Sequence, residues 1–144
     1  MKLDHIGIAV RSIEAASRLY GGYLRLAAAE REELPGERVR VAFFDAGGAR
    51  IELLEPIGGD GPLARFLAAR GEGMHHVAFG VTDIGAALKE AVAFGYRPVD
   101  PQPRKGSGGR LIAFLSPKET LGVLIELIQS ERDREASDRD PKSG

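Results

Sequence analysis

The sequence predicts an α+β fold in which two β-α-β-β-β modules pair into one curved, partly closed mixed sheet. Three observations lead to this fold class. The segment that starts His5-Ile-Gly-Ile-Ala-Val recurs, 71 residues later, as His76-Val-Ala-Phe-Gly-Val. The same succession of one helical and several strand patterns follows each copy. Two such copies are too few for a solenoid, so they are expected to share one sheet.

The first module is predicted to cover about residues 1–61. Its first strand, residues 3–10, alternates a bulky face with a face of small residues that also carries His5. Ser12 is positioned to cap a helix that runs to Tyr20, because its hydroxyl can accept a hydrogen bond from the first helical turn. Three strands are then expected, with a tight turn at Gly47-Gly48 before the last of them: residues 26–33, 38–45 and 49–55.

The second module is predicted to cover about residues 74–129 and follows a short linking helix at residues 62–70. Asp83 is positioned to cap its helix, which extends to Phe94. Its strands are expected at residues 76–81, 96–99, 110–115 and 122–129. We interpret residues 1–129 as a single domain. Residues 130–144 alternate in charge without apolar periodicity, and we expect a disordered tail there.

Composition excludes several classes of function. The chain has 144 residues, a net charge of -1 and no cysteine. Near-zero charge argues against an electrostatic nucleic-acid binder, and the lack of cysteine excludes thiolate catalysis and sulfur-ligated zinc. The sequence contains neither a membrane-spanning apolar run nor a signal peptide, so we expect a cytoplasmic protein that binds no membrane. A metal would have to be held by nitrogen and oxygen ligands.

Four residues at repeat-equivalent positions form the candidate metal site: His5 and His76 near the start of the modules, and Glu52 and Glu126 near their ends. Both glutamates interrupt apolar runs, where an uncompensated buried carboxylate costs several kcal/mol. Two imidazoles and two carboxylates suit one divalent cation such as cobalt, which we take as the first choice, or nickel, manganese, magnesium or zinc. The alternative for each residue is a hydrogen-bonded core histidine or a strand-edge charge.

This arrangement resembles the vicinal oxygen chelate superfamily of glyoxalases, bleomycin-resistance proteins and extradiol dioxygenases. Within it, several segments resemble the methylmalonyl-CoA epimerase family, and the resemblance covers about residues 2–129. The segments are Ile51-Glu-Leu-Leu-Glu-Pro56, Arg70-Gly-Glu-Gly-Met-His-His-Val-Ala-Phe79, Gly106-Ser-Gly-Gly109, Phe114-Leu-Ser-Pro-Lys118 and Gly122-Val-Leu-Ile-Glu-Leu127.

The resemblance implies a metal-dependent isomerase that inverts C2 of methylmalonyl-CoA by removing the C2 proton to give an enolate. Glu126 matches a family metal ligand, and we assign it a second role as the catalytic acid and base. A group on the opposite face of the enolate is also required. Arg40 lies near the position where some epimerases carry a second acid, so this partner is not identified.

A CoA thioester also needs contacts for its phosphates. The glycine-rich segment Gly106, Ser107, Gly108 and Gly109 follows Lys105 and is flanked by Arg104 and Arg110. Backbone N–H groups and basic side chains there could hold phosphate, and Lys118 is a further candidate. The competing interpretation is a flexible hairpin connection with solvated charges.

Two other functions fit the same fold: a glyoxalase I that forms lactoylglutathione, and a metal-free binding module such as a drug-sequestering resistance protein. We also expect a homodimer, because modules of this kind leave open sheet edges.

Overall fold

The computed structural model describes residues 1–130 and divides the chain into two compact units. One unit is formed by His5–His76, and the other by Met1–Asp4 together with the described residues from Val77 onward. The predicted tail falls almost wholly on residues 131–144, which lie outside the described residues. No helix within residues 1–130 is long and apolar enough to cross a membrane.

The first unit has the β-α-β-β-β order predicted for module one. Its strands are β1 (Lys2–Ala9), β2 (Ala27–Leu34), β3 (Val39–Asp45) and β4 (Arg50–Pro56), and its helices are α1 (Ile13–Ser17) and α2 (Pro62–Arg70). The strands lie in the order β2-β3-β4-β1, and the β1–β4 pair is parallel while the other two pairs are antiparallel. A π-helical segment, Arg18–Tyr23, extends α1. The first and last strands of the module are therefore neighbours.

Both faces of this four-stranded sheet carry apolar side chains. The face with Ile8 and Val10 packs against Ile13 of α1, as the bulky side of the first strand predicted. On the opposite face, Leu63 and Leu67 of α2 pack over a second cluster, which contains Ala9, Val39, Val41, Phe43 and Leu54. Burial of such side chains is the main favourable term in folding. The helices thus fix both faces of the sheet that carries His5 and Glu52.

The two predicted helix caps and the predicted hairpin turn are confirmed. The Ser12 hydroxyl accepts the Ala15 N–H at 3.1 Å, and the Asp83 carboxylate accepts the Ala86 N–H at 3.1 Å. Gly47 and Gly48 adopt φ angles of +68° and +80°, which residues other than glycine rarely adopt. These two glycines therefore close the β3–β4 hairpin.

The second unit repeats the pattern with residues 77–81 of β5 (Gly73–Val81), and with α3 (Ile84–Ala93), β6 (Arg104–Lys105), β7 (Leu111–Leu115) and β8 (Ile125–Gln129). Its strands lie in the order β5-β8-β7-β6, and β5 pairs with β8 in parallel. Helix α3 packs its buried residues on Val81, Ala113, Leu115 and Leu127. The first and last strands of this module are again parallel neighbours, which matches the internal repeat.

The predicted strand at residues 96–99 is wrong. Only Pro98 forms an isolated bridge, to Leu115, while the third strand of the module is the two-residue β6. Val99 N–H donates to Phe114 O at 2.7 Å, and Ser116 N–H donates to Arg97 O at 2.7 Å. Both bonds belong to the neighbours of Pro98, and within residues 1–130 no further bridge joins this segment to β7.

We predict that Arg110→Ala destabilises the protein by about 1–2 kcal/mol, because it removes a charge-assisted hydrogen-bonded pair. The Arg110 guanidinium donates to both carboxylate oxygens of Asp4 at 3.1 Å, and the two side chains are only 15% and 18% exposed. Urea unfolding of the two proteins measures the difference. Arg110→Lys keeps the charge but loses the two-pronged geometry, and equal stability of all three proteins would contradict the prediction.

Candidate metal centre

Three of the four predicted ligands come together in the first unit. One ligand atom from each of His5, Glu52 and His76 lies within 4.8 Å of the others. The two histidine Nε2 atoms are 3.1 Å apart, and Glu52 Oε1 lies 3.5 Å from the Nε2 of His5 and 3.3 Å from that of His76. All three residues are buried, with exposures of 2–5%.

The strand register explains how these side chains meet. On β4, Glu52 is opposite Gly7 of β1 and opposite Phe43 of β3. His5 lies two residues before Gly7, so it shares the sheet face of Gly7. The Phe43 ring packs edge-on against the His5 ring, with centroids 5.9 Å apart. The polar atoms thus occupy a pocket whose walls are strand backbone and aromatic carbon.

Gly7 is required for the close approach of His76. A Cβ atom at residue 7 would lie 2.1 Å from Cε1 of His76, closer than any real contact. The space that this small residue leaves on the histidine face is filled by the imidazole ring of a metal-ligand candidate.

The donor set and its spacing fit a divalent cation. Atoms that each lie about 2.0–2.2 Å from one ion are about 3.0–3.5 Å apart at tetrahedral or octahedral angles. The three measured separations, 3.1, 3.3 and 3.5 Å, lie in this range. A buried carboxylate also needs charge or hydrogen bonds to replace its lost solvation, and a cation supplies charge. Neutral imidazole and carboxylate are ligands for cobalt, nickel, manganese and zinc.

Glu126 lies in the second unit, on β8, and is 5% exposed. Its neighbours repeat those of Glu52: it is opposite Ala78 of β5 and Phe114 of β7. Ala78 belongs to a buried apolar cluster with Ile112 and Ile128. The sequence repeat therefore extends to the register of each unit, and Glu126 is the counterpart of Glu52.

The glycine-rich loop is less open to phosphate than the sequence indicated. Arg110 is engaged with Asp4, and Arg104 pairs with Asp100. The Gly106 and Gly109 N–H groups donate to Arg110 O and Gly106 O within the loop. A Cβ atom on Gly106 would contact Ile112 at 2.9 Å, so this glycine has a packing role.

Exposed cations nevertheless border this loop. Lys105 and Lys118 are exposed, and neither forms an ion pair within residues 1–130. Ser107 and Gly108 lie in a short 3-10 turn between them, with Gly108 at a φ of +67°. Lysine is a common ligand of phosphate.

Arg40 belongs to an ion-pair cluster. Its guanidinium donates to Glu33 at 2.9 Å and to Glu55 at 3.0 Å. The hydrogen bond that Arg40 donates to Glu33, and then the one that it donates to Glu55, raise the pKa of Arg40 above its ordinary value. Glu55 also accepts the Ile13 N–H at 3.0 Å. Glu55 therefore links Arg40 of β3 to the first residue of α1.

Sequence reasoning identified three of the clustered residues but gave Gly7 and Phe43 no role in holding them. Gly7 was visible as a small residue on the histidine face, whereas its contact with His76 depends on tertiary placement. His75 precedes this ligand candidate in the chain, and its Nδ1 lies 2.9 Å from Nδ1 of His76.

We predict that Gly7→Ala abolishes stoichiometric metal uptake, because the new methyl group displaces the His76 ring. Gly80→Ala is the matched control: it is also a strand glycine, and its Cβ would meet only Lys2 O, at 3.7 Å. Calorimetric titration with cobalt measures both variants, and circular dichroism verifies that they fold. Equal cobalt binding by the two variants would show that Gly7 is not required.

Comparison with known proteins agrees with this geometry. The family model described as Glyoxalase/Bleomycin resistance protein/Dioxygenase superfamily matches residues 4–114. The uncharacterized protein YqjC of Bacillus subtilis is 42% identical over 133 residues, covering 92% of this chain and 95% of that protein. Human mitochondrial methylmalonyl-CoA epimerase is 36% identical over 130 residues, covering 90% of this chain and 74% of that protein.

A solved structure extends the similarity to three dimensions. Methylmalonyl-CoA epimerase of Streptomyces coelicolor, in complex with 2-nitronate-propionyl-CoA, matches with a TM-score of 0.86 and 35% identity. The match covers 91% of this chain and 98% of that one, which confirms the predicted fold class. The chain belongs to the glyoxalase/bleomycin resistance protein/dioxygenase superfamily and, within it, to the methylmalonyl-CoA epimerase family.

Proposed function

We propose that the protein is an isomerase that interconverts the C2 stereoisomers of methylmalonyl-CoA through an enolate. The observation that carries this proposal is the buried His5–Glu52–His76 cluster, whose ligand atoms are spaced for one divalent cation. Relatives over most of the chain are named methylmalonyl-CoA epimerases, and one is solved with a CoA-thioester analogue. The substrate class is therefore a small-molecule CoA thioester.

A cation held by the cluster would supply Lewis-acid stabilisation of the negative charge that develops when the C2 proton leaves. His5 and His76 would hold it through Nε2, and Glu52 through Oε1. The carboxylate of Glu52 offsets part of the charge of the ion. The apolar surroundings, including Phe43, keep water from these groups and so strengthen their electrostatic interactions.

We assign Glu126 two roles in the proposal, as the fourth metal ligand and as the group that moves the C2 proton. Its burial and its equivalence to Glu52 in register support the assignment. Proton return on the opposite face needs a second group. Arg40 is not assigned this role, because its guanidinium is held by Glu33 and Glu55.

We propose that the CoA phosphates contact Lys105 and Lys118, with Gly106, Ser107, Gly108 and Gly109 shaping the loop between them. The exposure of the two lysines and the engagement of Arg104 and Arg110 elsewhere support this choice. Cobalt as the resident metal, a homodimer and a cytoplasmic location stay predictions from the sequence.

We predict that the metal-loaded protein exchanges the C2 proton of methylmalonyl-CoA with solvent deuterium, as NMR would detect. Glu126→Gln should slow this exchange by about 100-fold or more, because it removes the group that moves the proton. Chelator treatment should abolish the exchange. Glu90→Gln, an exposed glutamate on α3, should leave the rate unchanged.

Absence of exchange in wild-type protein that binds metal would overturn the proposal. Formation of lactoylglutathione from the glutathione hemithioacetal would then indicate glyoxalase I. Ligand binding with no metal uptake would indicate a binding module.

We also predict that Lys105→Ala and Lys118→Ala raise KM for methylmalonyl-CoA by about 5–10-fold each, because each loses a charged contact to phosphate. Neither should change KM for methylmalonyl-pantetheine, which lacks the nucleotide phosphates. Lys89→Ala on α3 serves as the exposed-lysine control. Equal effects on the two substrates would exclude a phosphate contact.

A further inference from the structure

We infer that His75 is a positioning residue that sets the tautomer of His76 and so makes its Nε2 available to a cation. The inference rests on the proposed metal site and adds a residue outside the ligand set. It is carried by one contact: Nδ1 of His75 lies 2.9 Å from Nδ1 of His76. Two ring nitrogens at this distance share one proton, since one must donate and the other accept.

The groups that face Nε2 of His76 indicate which ring nitrogen carries that proton in the metal-bound state. Its Nε2 faces Glu52 Oε1 at 3.3 Å and His5 Nε2 at 3.1 Å. A histidine nitrogen binds a metal only through its lone pair, so Nε2 must be unprotonated in the metal-bound state. The proton of neutral His76 is then on Nδ1, and Nδ1 of His75 is the acceptor.

With its own proton on Nε2, His75 accepts through Nδ1 and opposes a competing tautomer of His76. With the proton on Nε2, the His76 ring would donate to Glu52 and could not bind a cation until that hydrogen bond broke. An acceptor at the other ring nitrogen stabilises the tautomer that binds metal. Partners of this kind orient ligand histidines in metal sites, where carboxylates or backbone carbonyls usually serve as acceptors. Here a second imidazole fills that place.

The position of His75 is fixed by packing. Its ring is half-buried and meets Phe66 of α2 edge-on, with centroids 4.9 Å apart at 72°. Phe66 packs against the apolar cluster that contains Phe43 and Leu67. Helix α2 therefore holds the acceptor against the His76 ring.

The test compares His75→Leu, which removes the acceptor, with His75→Asn, whose side-chain oxygen can take the place of Nδ1. Calorimetry should show that His75→Leu weakens cobalt binding by about 10–100-fold, the usual effect of losing such a partner. His75→Asn should stay within a few-fold of wild type. Thermal melting of the metal-free proteins separates a folding defect from the effect on metal binding, because the two variants change packing against Phe66 similarly.

NMR on nitrogen-15-labelled zinc-loaded protein gives a readout that packing alone does not alter. We expect the His76 proton on Nδ1 and a coupling across the hydrogen bond to Nδ1 of His75. A proton on Nε2 of His76, or equal cobalt affinity of His75→Leu and wild type, would overturn the inference. If His75→Leu bound cobalt as tightly as wild type while His5→Ala lost cobalt binding, the proposed metal site would be supported without a role for His75. Wild-type protein that binds no cobalt would overturn both.

Discussion

The site depends on one electrostatic constraint: a carboxylate buried in a sheet must be compensated. Glu52 is 5% exposed and is surrounded by strand backbone, two imidazoles and the Phe43 side chain. Removing a carboxylate from water costs several kcal/mol unless charge or hydrogen bonds replace the lost solvation. His5 and His76 supply partners on two sides, and a divalent cation fits among the three. The burial that makes an uncompensated carboxylate costly is also what makes a divalent cation a suitable partner for it.

The fold provides the geometry by placing the first and last strands of each module side by side. In both units the parallel pair brings a residue of small side chain, Gly7 or Ala78, opposite a buried glutamate. A phenylalanine on the next strand, Phe43 or Phe114, borders that glutamate. The register is thus duplicated along with the sequence. At residue 7 the duplication is inexact for a physical reason, because only glycine leaves room for the His76 ring.

Much of the secondary structure could be predicted because it depends on local patterns in the sequence. Strand alternation, the Ser12 and Asp83 caps and the Gly47-Gly48 turn are set by near neighbours in the chain, and the structure places them where expected. The predicted strand at residues 96–99 was wrong, because an apolar pattern does not reveal whether a β-ladder extends on both sides of Pro98. The pairing of Arg110, which flanks the glycine-rich loop, could not be predicted for a similar reason. The partner of Arg110 is Asp4, at the far end of the sequence, and no local signal links them.

The sequence by itself determined the two β-α-β-β-β modules and the types of residue available as ligands, because repeat spacing and side-chain periodicity are properties of the chain. The tertiary structure decided which atoms meet. It brought the Nε2 atoms of His5 and His76 within 3.1 Å of each other, and it set His75 against the outer nitrogen of His76. Distances of this kind depend on register and rotamers, which are fixed only when strands from distant parts of the chain pack together.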